Sequence, residues 1–356
     1  MTTCEYHMIR AIDTIDPMNR GLKQVSPDKP IVDCVDNGEM GCTSFVPSFY
    51  IREIVKVLLD CGTRPFLTDS GVLYLGKRRN ARDHVMTAHA NGFTLATTGA
   101  PIIIADGLLG SDVEEITIDG RYYKSVDVVG AIAHADSLVV VSHVTGHGLM
   151  GFAGAFKNLG MGAVGRNVKL SVHELVKPSV DSDRCDACAS SCLKSCPADA
   201  ISIDRNSKSA VIDLGPCIGC GECLTVCPNE AIQIEWKGDS TRAQQKLVEA
   251  ASAVMRQKAG SICYFNFLLN ITPSCDCFQR SAAPMVPDIG LLASLDPVAI
   301  DQASVDFTLK TTSARDDRYT DPSLRFLPVG GGSWDSAFDY AEALGLGSRS
   351  YKLIPL

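Results

Sequence analysis

The sequence predicts an α/β chain: a largely parallel sheet with helices on both faces, interrupted by a small inserted α+β unit. Three observations carry this. Apolar strand-like runs alternate with stretches of helical period. The strand runs are continuous, as in strands buried on both faces. A cysteine-dense segment of different character splits the pattern in two. The boundaries place one discontinuous α/β domain at 1–179 and 239–356, with the insert at 180–238.

Taken in order, Ile51, Ile54, Val55 and Leu58 have helical spacing, and Gly62 stops that helix. "RPFLTDS" is a short strand opening into Thr68, Asp69 and Ser70. "PIIIADG" (101–107) is a second buried strand, ending at Asp106. "EEITIDGRYYKSV" is a hairpin around Asp119-Gly120. "DVVGAIAHAD" has a helical look and leads into the β-branched strand "SLVVVSH", which ends at Ser142 and His143. After the insert, Leu247, Val248, Ala251, Val254 and Met255 make an amphipathic helix over 242–259. "ICYFNFLLNI" and "DIGLLAS" are strands. Asp296 and Pro297 then open the helix "PVAIDQASVDFTL" as N-cap and first helical residue. Polar loops follow strand ends at 68–70, 106–107 and 143–158, where open α/β sheets hold ligands.

The formal charge is −8, with no block of five or six like charges, so the broad basic footprint of a nucleic-acid binder is missing. "GKRRNAR" (76–82) is the most basic stretch and reads as a solvated turn, with anion binding as the alternative. No apolar run approaches the ~20 residues that cross a bilayer, and the N-terminus has the polar residues a signal peptide lacks. The expectation is a cytoplasmic protein with no membrane partner. The fifteen cysteines of a chain in a reducing compartment argue for metal ligation over disulfides.

"CIGCGECLTVCP" sets Cys217, Cys220, Cys223 and Cys227 as C-x2-C-x2-C-x3-C-P, the bacterial ferredoxin run for a 4Fe-4S cluster. "CDACASSCLKSCP" is an earlier copy with Cys185, Cys188, Cys192 and Cys196, and "CPADAISID" and "CPNEAIQIE" continue the repeat. The first copy carries one extra residue between its second and third cysteines. In two-cluster ferredoxins the fourth cysteine of each run ligates the other cluster. The expected sets are therefore Cys185, Cys188, Cys192 and Cys227 for one cluster, and Cys217, Cys220, Cys223 and Cys196 for the other. C-x2-C pairs also suit tetrahedral zinc. Two tandem runs, each closed by Cys-Pro, favour iron and sulfur, and with them an inserted α+β bacterial-type ferredoxin unit.

The stretch "HVTGHGLMGFAGAFKNLGMG" (143–162) adds His143, His147 and Lys157 to a glycine-rich loop at a strand's carboxyl end. Its glycines let backbone approach a ligand and offer bare amides to an anion. Imidazole moves protons near neutral pH, and Lys157 with Asn158 would hold an anionic group. The alternative is a packing turn with satisfied core histidines and a surface lysine. In "TPSCDCF", Cys275 and Cys277 form a C-x-C pair suited to a metal or to redox chemistry. Thr68, Asp69 and Asp106 join the candidate binding residues.

These stretches, "GHGLMGFAGAFKNLGMG", "NITPSCDCF" and "PDIGLLASLDPVAIDQAS" with the ferredoxin-like insert, resemble the domain of unknown function 362 family, of the iron-sulfur-center type found mainly in anaerobes. The resemblance covers about Asn37 to Phe307 and implies the fold and the clusters more than a reaction. His147-x9-Lys157 with "GFAG" between is distantly similar to the loop of the nickel-pincer lactate racemase family. That similarity implies His147 as a proton-transfer residue and Lys157 as the attachment point of a cofactor. Ala155-Phe156 and the insert depart from that family's pattern.

The leading expectation is an iron-sulfur oxidoreductase. Electrons would pass through two 4Fe-4S clusters to a small anionic substrate, or to a further metal or organic cofactor, at the His143/His147/Lys157 loop. Cys275 or Cys277 would lie between. A redox partner protein is implied, as low-potential donor or acceptor, and a homodimer is left open. The rivals are a non-catalytic electron-transfer or metalloenzyme maturation factor, and racemase-like chemistry on a lysine-bound metal cofactor.

Overall fold

In a computed structural model, the described residues are 30–35, 38–73, 76–147, 150–173, 177–188, 191–204, 206–217, 223, 227–229, 231–235, 240–273, 275–277, 281–311 and 334–355. Cys220 and Gly148 lie outside them.

Five strands form the main sheet: β1 (Pro30–Val35), β2 (Arg64–Thr68), β3 (Ser137–His143), β4 (Ile262–Leu268) and β5 (Gly290–Ser294). Their order is β5-β4-β3-β1-β2. The first four are mutually parallel where they pair, and β5 runs antiparallel to β4 at the edge. Alternate residues of β3 point to opposite faces, as the two-residue repeat requires. Leu138 and Val140 join one apolar cluster, and Val139 and Val141 the other. Helix α1 (Ser48–Asp60) covers the second face with Ile51, Ile54, Val55 and Leu58. The long helix α3 (Ser240–Gln257) covers the first with Leu247, Val248, Ala251 and Val254. Each such side chain taken out of water contributes about 2 kcal/mol. Helix α4 (Pro297–Lys310) begins as read, with Asp296 Oδ1 accepting from the amides of Val298 (2.8 Å) and Ala299 (2.9 Å) behind Pro297.

Two readings change. Residues 101–107 do not form a named strand of the sheet: Ile102 bridges Leu67 in parallel, the Ala105 amide still bonds Asp69 O at 2.9 Å, and a turn begins at Ala105. The "DVVGAIAHAD" stretch is strand before it is helix. Ser125–Val129 pairs antiparallel with Val113–Thr117, and only Gly130–His134 is helical. Pairing across the Asp119-Gly120 hairpin outweighs the local helical pattern there.

Further two-stranded pairs are separate from the main sheet. Lys177–Val180 pairs with Ile232–Glu235, and Ile201–Asp204 with Ser209–Ile212, both antiparallel. The chain reverses direction across the main sheet at β1, which has β2 on one side and β3 on the other. Beyond the carboxyl ends of such neighbouring strands an α/β sheet leaves a crevice. Thr68 and His143 end β2 and β3, and the segments carrying Glu39, Asp69 to Gly71 and Cys275 to Cys277 follow the strands β1, β2 and β4. Among the described residues no helix is long and apolar enough to cross a membrane.

Candidate functional site

The cysteine repeat is a repeat in three dimensions. Ala200 donates its amide to Cys196 Sγ at 3.2 Å, and Ala231 donates to Cys227 Sγ at 3.3 Å, one repeat later. Cys185 N bonds Asp181 O, and Cys217 N bonds Asp213 O. The leading strand of each copy pairs with the trailing strand of the other. This exchange carries Cys227 of the second copy to Cys185, Cys188 and Cys192 of the first, and the four line one cavity with Ile203, Ala210 and Ile232. Burial works against the Cys185 thiolate, but the amides of Ala210 and Ala187 outweigh it and leave the thiol below its ordinary range. Cys188 and Cys192 are pushed up, by burial first and then by charges that include neighbouring thiolates. Of the other expected set, Cys196, Cys217 and Cys223 are described and Cys220 is not.

The second constellation is assembled from distant segments. Thr145–His147 and Gly151–Ala153 form a small antiparallel pair that brings the chain back toward the sheet. Gly146 sits so close to the loop after β4 that a Cβ would fall 2.4 Å from Pro273 O, which leaves room for glycine alone. Asp301 of α4, buried under the loop, accepts the amides of Ala155 (2.8 Å) and Phe156 (3.0 Å) and the side-chain amide of Asn266 (2.8 Å). It starts the short helical turn Ala155–Lys157, which runs on into a π-helical turn, Asn158–Gly162. Such turns are frequent at functional sites. Burial raises Asp301 to about 6, although those three donors pull the other way.

Lys157 Nζ lies 3.5 Å from Cys277 Sγ, and Cys277 Sγ lies 2.8 Å from Cys275 Sγ. His147 is near enough to both Lys157 and Cys277 to feel their charges. Its Nδ1 accepts the Met150 amide at 3.2 Å, so the ring proton is on Nε2. Burial first, then Lys157, hold His147 down at about 4. An imidazole titrating near neutral pH was expected here. Burial and the neighbouring Lys157 instead favour a neutral ring.

His143 is placed differently. Its Nδ1 faces Asp276 Oδ2 at 2.7 Å and its Nε2 faces the Leu269 carbonyl at 2.7 Å. A carbonyl only accepts, so Nε2 carries a hydrogen, and a second proton lies between Nδ1 and the carboxylate. Asp276 also accepts from Ser44 Oγ at 2.6 Å. His143 thus anchors the residue between the two cysteines. The Asn158 amide donates to Val141 O (2.8 Å) and Ser142 Oγ (3.1 Å), fastening the loop to β3.

Thr68, Asp69 and Asp106 form a separate buried network. Thr68 donates to Ile103 O, Asp69 pairs with Arg78 at 3.0 Å, and Asp106 accepts the Gly71 amide at 2.9 Å. Arg78, from the basic stretch read as a solvated turn, is only 2% exposed. Three residues here carried no sequence signal: Asp301, Lys169 and His173. Lys169 donates to Ser70 Oγ and Gly71 O at 2.7 Å each, and burial lowers it to about 8. One turn on in helix α2 (Arg166–His173), His173 Nδ1 donates to Lys169 O at 2.7 Å. Burial lowers His173 to about 4; His147 and Lys157 add to the shift, so the helix links the two networks.

A 62-residue stretch is 47% identical to ABC transporter E family member 1 of Arabidopsis thaliana, covering 15% of this chain and 10% of that one. The lactate racemase apoprotein of Thermoanaerobacterium thermosaccharolyticum aligns at 13% identity and a TM-score of 0.39, over 74% of this chain and 48% of that one. A Thermotoga maritima protein of solved structure aligns at 10% identity and 0.37, over 75% and 53%. The chain thus spans about half of those two structures and a tenth of the curated relative. The model for the domain of unknown function DUF362 matches residues 32–306, and the chain belongs to that family.

Proposed function

We propose that this protein is an iron-sulfur oxidoreductase, with two 4Fe-4S clusters feeding a site for a small anion at His147 and Lys157. The observation that carries it is the cavity lined by Cys185, Cys188, Cys192 and Cys227, three cysteines of one copy and the closing cysteine of the other. Thiolates gathered on one cavity repel each other and call for a cation among them. A cubane also gives each thiolate its own iron, so the sulfurs need not converge on one point. The amides aimed at Cys185, Cys196 and Cys227 are the kind that stabilise ligating sulfur. Cys217, Cys220, Cys223 and Cys196 would hold the second group by the same repeat. Clusters bound there supply one-electron transfer.

The chain's own residues supply the remainder. Lys157 brings positive charge for an anionic group, and His147 offers a neutral Nε2–H donor beside it. An anion on Lys157 would offset the charge that holds His147 down, so binding would make the ring a better proton acceptor. A low-potential protein partner would exchange electrons with the cysteine segment.

The test is the metal content of anaerobically purified protein. About eight irons per chain are expected. Stoichiometric zinc with little iron would sink the proposal.

A further inference from the structure

We infer that Cys275 and Cys277 are a two-electron dithiol/disulfide couple, operating by exchange with an external disulfide, with Cys277 as the attacking thiol. Their sulfurs stand 2.8 Å apart, roughly 0.8 Å beyond the covalent S–S length of about 2.0 Å. They differ in access: Cys275 is buried, whereas Cys277 is partly exposed and has the Lys157 ammonium 3.5 Å from its sulfur. A cation at that distance favours the thiolate, the form that attacks. An accessible thiolate beside a shielded partner is the arrangement of an attacking and a resolving cysteine.

The backbone between them is held by groups unrelated to the thiols. Asp276 receives His143 Nδ1 and Ser44 Oγ, and its carbonyl accepts the Glu39 amide at 3.0 Å. The central residue is therefore tied to the loops after β1 and β3, which fixes both neighbours. Cys42 is the other thiol close by, 3.6 Å from Asp276 Oδ1. It is buried, and burial and Asp276 push it up, so it does not compete.

The step balances as exchange. Cys277 thiolate attacks one sulfur of an external disulfide and expels a thiolate, leaving a mixed disulfide. Cys275 then attacks Cys277 Sγ, its proton passes to the departing thiolate, and the second external thiol leaves. The protein loses two electrons and the external disulfide gains them.

The inference rests on the Cys275, Cys277 and Lys157 geometry and needs no iron. Its test is independent of metal content and turnover. The full-length protein is equilibrated anaerobically in buffers of reduced and oxidised glutathione, acid-quenched and alkylated, and the peptide holding both cysteines is mapped by mass. Expected is a loss of two hydrogens within that one peptide, with a two-electron dependence on the buffer ratio. Lys157→Met should slow alkylation of Cys277 at neutral pH about tenfold and displace the midpoint toward more reducing buffers. Two alkyl groups on the peptide in every buffer would overturn the inference. So would oxidation that stops at a glutathione adduct on Cys277. The wild-type titration decides the matter even where the variant does not fold.

Discussion

The cysteine repeat and the Lys157 cluster are built in opposite ways. Cys185 and Cys227 are 42 positions apart in one duplicated segment, and the same hydrogen bonds recur one repeat later. Lys157 and Cys277 are 120 positions apart, His143 and Asp276 133, and the turn carrying Lys157 is held by Asp301 of a third segment. A locally encoded site announces itself by spacing. A site assembled at strand ends depends on every element that positions it, and its least conspicuous members are the buried ones.

If the first site is shared between copies, the largest effect should come from Cys227→Ser. It lies in the second copy by sequence but would remove a ligand from the first cavity. About half the iron should be lost, from about eight to about four per chain. The spectroscopic signature of the cluster that Cys217, Cys220 and Cys223 would hold under this proposal should survive, as electron paramagnetic resonance of the reduced protein would read. Loss confined to the second copy's own cluster would break the crossed arrangement.

Asp301 gives the next largest effect, on the assembled site. Asp301→Ala leaves two backbone amides and the Asn266 amide without their buried acceptor, a cost of about 3 kcal/mol or more in denaturant unfolding. The pH dependence has a definite sign. The folded carboxyl titrates at about 6, above its ordinary 3.8, so the folded state holds the proton more tightly than the unfolded one. Stability from this group is fully present below about pH 4 and is lost as pH rises through 6, by about 3 kcal/mol. The wild-type minus Asp301→Asn difference should show that slope; a flat difference would mean that the carboxylate is not buried as described.

This contrast also explains what could be read beforehand. Helix α1, strands β3 and β4 and the Asp296 cap were legible, because apolar period and capping chemistry act within a few residues. The central strand β1 went unread: "PIVDCV" interrupts its apolar run with Asp33, and only the pairing of β2 and β3 on either side reveals it. Asp301, Lys169 and His173 sit in ordinary helical sequence and gain meaning only from partners far along the chain. Asp69 and Asp106 were picked out as binding residues; the structure adds that Asp69 pairs with Arg78 and Asp106 accepts the Gly71 amide, which spacing alone does not disclose.

A smaller effect tests whether His147, Lys157 and Cys277 share one field. His147 is held at about 4 by burial chiefly and by Lys157 second, while Cys277 acts in the opposite direction. Lys157→Met should raise the His147 titration part of the way toward 6.5, and Cys277→Ser should lower it, both read by NMR of the ring protons. Most of the depression should persist in Lys157→Met, because burial is the larger cause. With His173 depressed to about 4 as well, these two rings withdraw stability as pH falls from 6.5 toward 4, opposite in sign to Asp301 over an overlapping window.

The smallest effect returns to the repeat. Ala187, between Cys185 and Cys188, has φ 53°, in the left-handed region that a Cβ disfavours by about 1–2 kcal/mol. One repeat later the same place in the motif is Gly219. Ala187→Gly should relieve that strain but lose about 0.5–1 kcal/mol to the greater freedom of glycine in the unfolded chain, for a net gain of about 1 kcal/mol or less. Thermal unfolding of the iron-loaded protein would show it as a small rise. A loss of stability would mean that the Ala187 methyl, on the wall of the four-cysteine cavity, contributes more by packing than its backbone costs.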